Sequence, residues 1–507
     1  MARASKWSIL AILSFALALI SLDNTIVNVA LPSLQEELGA TTAQLQWIVD
    51  AYSVLFAGTL LFAGSLGDRF GRKRILLIGL VIFGLGSLAA GASPDANVLI
   101  ACRAIMGIGG AFIMPSTLSI LVQTFTVPTE RAQAIGIWAA VAGVGVAIGP
   151  IAGGALLEHF SWHAVFLVNP PLVLIVLILA LRFIPESLDE TKPMLDLRGA
   201  ALVSLGLIAL VTFIVELPDG GLTAFTITSG AAAAILLAAF VWWEKRAPRP
   251  LLPMSLFADR VFTVAVVMVG LVYFALMGAL FFLPQFLQLV QGLSPLQSGI
   301  GMLPGAGGLL VASLLSPRIA ERFGARRTVV TGVVAVAAGL MLMSFVQPMT
   351  SYPYVGLALG VTGIGMGLTL PQATNAVLSR VPRERSGMGA AVNDAVTELG
   401  GSFGVAVLGG VLAYFYRNRI DTVIADAGAQ ATLVPQQALD AVRESLAAAS
   451  VLIQQLPAGL AGPARDLVGG AFVSGMGWAL TVGAAVTLIG ALLAWRFFPA
   501  HMERVEE

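Results

Sequence analysis

Fourteen runs of roughly 20 apolar residues follow one another along this chain, each long enough as helix to cross ~30 Å of hydrocarbon. They lie near 7–31, 45–66, 75–92, 97–124, 132–157, 164–182, 197–216, 225–243, 261–289, 296–316, 328–346, 352–379, 386–413 and 471–495, separated mostly by short polar turns. Of 507 residues, 58% are hydrophobic and only 11% charged, more apolar surface than a soluble globule can bury. The solvent of this chain is a bilayer, and the expected fold is an all-α integral membrane protein.

Basic residues set an orientation. With the N-terminus and C-terminus cytoplasmic, all but five of the 28 Lys and Arg fall in cytoplasmic segments. The exceptions are Arg103, inside a run, and Arg417, Arg419, Arg443 and Arg465, all in one long outer loop, the kind that translocates largely regardless of charge. The first run contains Asp23 and lacks a small-residue cleavage site, so it reads as a span and not as a cleaved signal. A single cysteine, Cys102, gives no intramolecular disulfide and no cysteine metal cluster. His159, His163 and His501 lie at membrane edges, so a proton carried through the interior rides on carboxylates.

The chain repeats itself. "GDRFGRKR" (67–74) returns as "AERFGARR" (320–327), "GIGGAFIMP" (107–115) as "GIGMGLTLP" (363–371), "TVPTERA" (126–132) as "RVPRERS" (380–386), and "GPIAGGAL" (149–156) as "GVAVLGGVL" (404–412). Two copies in the same membrane orientation, each of six helices around a central site, follow the parallel-repeat plan of major facilitator transporters. The runs at 197–216 and 225–243 have no counterpart and read as an inserted pair. This gives an N-terminal six-helix bundle over 1–184, a linker with two extra helices over 185–260, and a C-terminal six-helix bundle over 261–507 that includes the outer loop 414–470.

Along nearly its whole length the chain resembles the 14-helix drug:proton antiporter branch of the major facilitator superfamily. The residues that carry the resemblance are "LDNTIVNVALP" (22–32), "GSLGDRFGRKR" (64–74), "RAIMGIGGA" (103–111), "GVAIGPIAGG" (145–154), "FFLPQFLQLVQGLSP" (281–295) and "NDAVTELGGSFGVA" (393–406). Met106 departs from the usual glutamine and His163 from the usual "WRW". The resemblance implies a cytoplasmic gate made from Gly64, Asp68, Arg69, Gly71, Arg72 and Lys73, with Asp68 facing a helix N-terminus of the opposite half and Arg72 joining it in a latch. It also implies an antiporter motif, Gly145, Gly149, Pro150, Gly153 and Gly154, that goes with export in exchange for protons and seals the cavity against leak.

Charge inside hydrocarbon costs about 2.5–3.5 kcal/mol on insertion scales, so each buried charge is a functional candidate. Asp23 lies roughly 24 Å along the first helix and Arg103 about 9 Å inward from the outer end of the fourth, so the two share the outer half of the membrane and are placed to pair. Asp50 lies near the outer start of the second helix, where snorkelling to water competes with a buried role. Asp394 and Glu398 are one turn apart on a single helix face; they repel, burial adds to the effect, and such a pair favours holding a proton. The competing reading is a hydrated pair that keeps a cavity wet. The proton-coupling set is thus Asp23, Asp50, Asp394 and Glu398, with Arg103 as charge partner.

Gly145, Gly149, Gly153 and Gly154 also allow close approach of a neighbouring helix, and Pro150 bends the rod; the second copy has Val405 there, so the kink serves one half. Asn24, Asn28, Trp47, Tyr52, Trp138, Tyr273, Phe281 and Gln285 are the candidates for a substrate cavity, aromatic and suited to lipophilic cations, although packing and interface anchoring compete for the same residue types. A stretch at 437–456 is amphipathic and is expected on the outer membrane surface.

The function these readings support is a proton-coupled antiporter of the cell membrane that exports hydrophobic, cationic drugs or toxic small molecules by alternating access. A dedicated exporter of one metabolite or antibiotic fits the same motifs, and a transport-dead receptor or scaffold keeps the fold. No nucleophile triad, phosphate loop or nucleotide-binding domain is recognisable, so enzyme, nucleic-acid and ATP-driven readings fall away. No cofactor is expected beyond the proton gradient. The expected partners are substrate, protons and lipid, and the expected state is a monomer.

Overall fold

The computed structural model describes residues 5–187, 196–248, 250–381, 386–427, 439–440, 442–443, 446–454 and 458–500. Some side chains within its helices, that of Asp68 among them, lie outside the described set. Among the described residues, fourteen long helices follow the order of the apolar runs: α1 Lys6–Leu38, α2 Thr42–Phe70, α3 Arg72–Ala90, α4 Ala96–Thr124, α5 Pro128–His159, α6 Asn169–Phe183, α7 Leu197–Gly220, α8 Ala224–Glu244, α9 Arg260–Gln285, α10 Leu303–Phe323, α11 Ala325–Ser344, α12 Tyr352–Ser379, α13 Ser386–Ala427 and α14 Ala458–Phe497. By length and composition, twelve stretches of the described residues can cross a membrane; α2 and α5 are not among them.

Polar residues at the turns stop the helices. Thr41 and Gln44 form a reciprocal capping box before α2, Asp95 accepts from Asn97 N and Val98 N before α4, and Asp259 caps α9. Prolines break two runs that read as continuous in the sequence. Pro170 and Pro171 open α6 after a short turn of helix at His163–Leu167, and Pro284 precedes a π turn at Phe286–Val290.

The internal repeat recurs as packing. In the first set α1 packs on α5, α2 on α4, and α3 on α4 and α6; in the second α9 packs on α13, α10 on α12, and α11 on α12 and α14. The repeated basic turn has one backbone geometry in both copies. Gly71 has φ 110° and ψ 125°, and Gly324 has φ 90° and ψ 146°, a region closed to residues with a Cβ. The unmatched pair, α7 and α8, pack on each other, and α7 lies across α2 and α13 together. Val54, Val211 and Ala406, one from each of these three helices, form a small buried cluster there, and Ser204 donates to Gly58 O.

The helices define two faces, a near face where α1 begins and a far face where it ends. Among the described residues, the contacts found between the α1–α6 set and the α9–α14 set lie toward the far face. A Cβ at Gly409 of α13 would meet Gln46 Nε2 of α2 at 2.6 Å, one at Gly154 of α5 would meet Leu296 at 2.6 Å, and Gln288 donates to Val29 O at 3.3 Å. Near-face bonds such as Lys6–Glu130 at 2.5 Å and Arg326 Nε to Phe498 O at 2.5 Å stay within a set.

The far-face loop departs from the sequence reading. α13 continues to Ala427 and α14 begins at Ala458, because Arg417, Arg419 and Asp421 end the apolar run without ending the helix. Within the expected surface-lying stretch 437–456, Leu446, Ala449 and Ile453 are buried, on a helix at Leu446–Gln454 that packs on α14, α1 and the π turn. Its apolar face is spent on the protein and not on lipid.

Gly71→Ala should cost about 1–3 kcal/mol through backbone strain. The purified protein is expected to show a lower unfolding midpoint, whereas Gly64→Ala, where an added Cβ meets nothing within 4 Å, should leave the midpoint unchanged or raise it.

Candidate functional site

The interior charges gather from four helices, α1, α2, α4 and α13. Asp23 and Arg103 are both fully buried, and Arg103 Nη1 lies 2.6 Å from Asp23 Oδ2. The second carboxylate oxygen accepts from Asn169 Nδ2 at 2.6 Å; the same amide nitrogen lies 3.0 Å from Ser87 Oγ, which donates to Phe166 O at 2.8 Å. Arg103 Nε donates to Ile48 O at 3.0 Å, and its guanidinium lies 4.5 Å from the centroid of the Tyr52 ring. Each oxygen of Asp23 is thereby used, which is what makes a buried ion tolerable in a medium without water. Arg103 Nη2 and Tyr52 OH, also buried, make no hydrogen bond among the described residues.

A second set faces this one from α13. Asp394 is 7% exposed and accepts from Asn393 Nδ2 at 3.2 Å. Glu398, one turn on, lies beside Ser53 of α2 and Asn24 of α1 and within electrostatic reach of Arg103, while Tyr273 of α9 lies near both carboxylates. Neither makes an ion pair among the described residues. Asp50 is fully buried and faces Ser402 of α13. The structure thus places Asp50 inside the α2–α13 seam and away from water. Asp23 is held within one helix set, whereas Asp50, Asp394 and Glu398 lie where two sets meet.

The other cavity candidates scatter. Asn28 is buried and donates to the Asn24 carbonyl on its own helix at 3.0 Å. Trp47 turns toward the inserted pair, donating to Glu216 Oε1 at 3.3 Å. Trp138 is buried with Nε1 unpartnered, Phe281 packs under Gly409, and Gln285 donates to Phe281 O at 3.0 Å. One cavity between the two sets, about 70 Å³, is aliphatic: Leu276, Leu280, Leu283, Met302, Leu359 and Met366 line it, with Thr25, Thr362 and Pro150. None of the eight cavity candidates borders it.

In the loop motif the described contacts run within one set. Arg72 N donates to Ser187 O at 2.8 Å, Lys73 N to Glu186 Oε1 at 3.0 Å, and Lys73 Nζ to Leu181 O at 2.9 Å. Arg69 lies over its neighbour Phe70, 5.4 Å from the ring centroid. The expected contact of Asp68 with the opposite half rests on a side chain outside the described residues. The α5 motif divides its work. A Cβ at Gly145 would meet Ala18 O at 2.8 Å, one at Gly149 would run into Thr25, and one at Gly153 would meet Ile26 at 2.9 Å, all on α1. Gly154 and Pro150 instead face the segment 295–300 of the other set.

Asn169, Ser87 and Glu186 are site residues that sequence reasoning passed over. Asn169 had a signal, a lone amide before two prolines inside an apolar run. Ser87 had none, since one serine in a membrane helix is ordinary.

This architecture has known relatives. The Major Facilitator Superfamily model matches residues 13–405. The chain belongs to the major facilitator superfamily. It is a multi-pass membrane transporter. Over 485 residues it is 36% identical to the multidrug efflux pump LfrA of Mycolicibacterium smegmatis, covering 96% of this chain and 95% of the relative. It is 34% identical to the tetracenomycin C resistance and export protein of Streptomyces glaucescens, over 97% of this chain and 91% of the relative. The methyl viologen resistance protein SmvA of Salmonella typhimurium is also 34% identical, over 97% of this chain and 98% of the relative. Among solved structures, a bacterial homologue of the lysosomal transporter Spinster, in an inward-facing and unoccupied conformation, aligns with TM-score 0.68 at 18% identity over 98% of each chain. The human organic anion transporter MFSD10 aligns with TM-score 0.62 at 16% identity, over 97% of this transporter and 100% of that chain.

Asp23→Asn leaves Arg103 charged and uncompensated, which should cost about 3–5 kcal/mol of stability. Asp23→Asn combined with Arg103→Gln removes both charges and is expected to recover much of that loss, measured as the unfolding midpoint of the purified proteins.

Proposed function

We propose that this transporter exports lipophilic, cationic small molecules from the cytoplasm in exchange for protons, as a monomer with fourteen spans in the plasma membrane. The observation that carries the reading is the pair Asp394 and Glu398, without an ion-pair partner among the described residues, on α13 where it meets Asn24 and Ser53 of the other helix set. Carboxyl groups at a moving seam change their access to water when the seam opens, and that is the physical requirement for coupling proton transfer to transport. The names of the relatives, multidrug efflux and export or resistance proteins, supply the substrate class.

The distribution of Lys and Arg supports a cytoplasmic near face. On that orientation the far-face contacts close the molecule to the outside, so it stands inward-facing. Protonation of the α13 carboxyls and Asp50 from outside then accompanies release of substrate, and deprotonation inside prepares rebinding. The Asp23–Arg103 pair organises the site from within one helix set. Export energy comes from the gradient, in which one charge moved is worth about 2.3 kcal/mol per 100 mV. The gate motif at 64–73 and the α5 motif keep the parts assigned above, latch and seal.

A second reading, an exporter of one antibiotic or metabolite, is favoured by the small aliphatic cavity and by the tetracenomycin C relative. Competition by a panel of unrelated cations separates the two.

In liposomes with an imposed pH gradient, the intact protein should accumulate a lipophilic cationic dye, and a protonophore should stop it. Asp394→Asn and Glu398→Gln should each cut gradient-driven movement at least about tenfold while keeping the unfolding midpoint. Gradient-driven transport at the intact rate in both variants would sink the coupling assignment.

A further inference from the structure

The inserted pair presents a site that none of the transport chemistry uses. At its near-face end α8 carries a shallow groove floored by Leu237, Ala238 and Val241 and flanked by Trp242, Lys245 and Arg246. The groove looks away from the protein: Trp242 is 55% exposed, and the Arg246 guanidinium sits 4.4 Å from its ring centroid.

Charge is sorted at this end. Both oxygens of Asp196 accept from Trp243 Nε1, at 2.8 and 2.9 Å, and one also accepts from Gly199 N at 2.8 Å. Glu244 is buried and accepts from Leu252 N at 2.9 Å. These two acids are tied inward, while Lys245 and Arg246 have no carboxylate within ion-pair distance among the described residues, and Arg246 Nη1 donates to Trp242 O at 3.5 Å. A third cation, Arg198, stacks on Trp243 at 5.1 Å. An apolar trough at the end of a membrane helix, with an aromatic rim and two cations at headgroup depth that no described carboxylate pairs, matches an amphiphile with an anionic head. A soluble anion would leave the trough empty.

We propose that this groove seats an anionic glycerophospholipid of the cytoplasmic leaflet, its phosphate on Lys245 and Arg246 and one acyl chain along Val241, Ala238 and Leu237. The leaflet rests on the orientation proposed above; the binding chemistry does not. Because α8 packs on α7, and α7 lies across α2 and α13, a lipid held here steadies the pair that covers the seam between the two helix sets.

The test counts lipids on the full-length protein by native mass spectrometry, with dioleoyl phosphatidylglycerol or dioleoyl phosphatidylcholine added at equal ratio. The intact protein should retain phosphatidylglycerol over phosphatidylcholine, and added salt should lower only the former. Lys245→Gln with Arg246→Gln should reduce phosphatidylglycerol occupancy about tenfold or more. Trp242→Ala should weaken it less, and Arg496→Gln, which removes a near-face cation on α14, should leave it unchanged. Equal retention of the two lipids by the intact protein, or undiminished occupancy in the double variant, overturns the proposal; salt-insensitive occupancy does so without relying on any variant. Sided labelling of Arg246→Cys in sealed vesicles reports the orientation separately, so an error there is not mistaken for absence of the site.

Discussion

A full charge inside hydrocarbon must find its opposite there, and this requirement organises the interior of the transporter. Arg103 meets it with Asp23, and the pair then recruits everything within reach: Asn169 to the second carboxylate oxygen, Ser87 to Asn169, and the Ile48 carbonyl to the guanidinium. Five helices, α1, α2, α3, α4 and α6, are fixed to one another by a handful of atoms. The pairing is complete within one helix set, so a motion that separates the sets does not break it. The carboxyls of α13 and Asp50 are in the opposite situation. They lie at the junction and have no cation of their own among the described residues, so what surrounds them changes whenever the junction does.

Small residues decide which junctions are tight. On α5, Gly145, Gly149 and Gly153 bring the helix against α1 closely enough that a methyl group on any of them would overlap, and Gly154 does the same against the segment 295–300 of the other set. One helix therefore carries a contact within its own set on one side and a contact to the other set on the other. Without a hydrophobic driving force between helices in lipid, such close approach is a main source of adhesion. The inserted pair adds a third element, because α7 covers the meeting line of α2 and α13 with Val211 while tying itself to Trp47 through Glu216.

Much of this was legible in the residues. The two basic turns announce a duplicated six-helix unit, and the structure gives Gly71 and Gly324 the same left-handed backbone. Asp23 and Arg103 are placed at similar depth by counting residues along two helices, and Asp394 and Glu398 share a face by their spacing. Trp47, by contrast, reads as a cavity aromatic and turns toward α7, because an aromatic at an interhelical position has the same composition signal whichever neighbour it meets. The aliphatic lining of the described cavity leaves no trace in sequence either, since Leu276 and Leu280 look like any other lipid-facing leucines.

The sequence by itself determined the solvent, the succession of helices, the repeat and the buried charges, because hydropathy, turn chemistry and spacing are local properties of the chain. Only the tertiary structure decided which charges are neutralised and which wait at a seam. Partner choice depends on the rotation and register of helices distant in sequence: Asn169 reaches Asp23 across 146 positions, and Glu398 finds Ser53 and Asn24 of the other helix set. Those distances are set by packing of the whole bundle, and no window of the chain contains them.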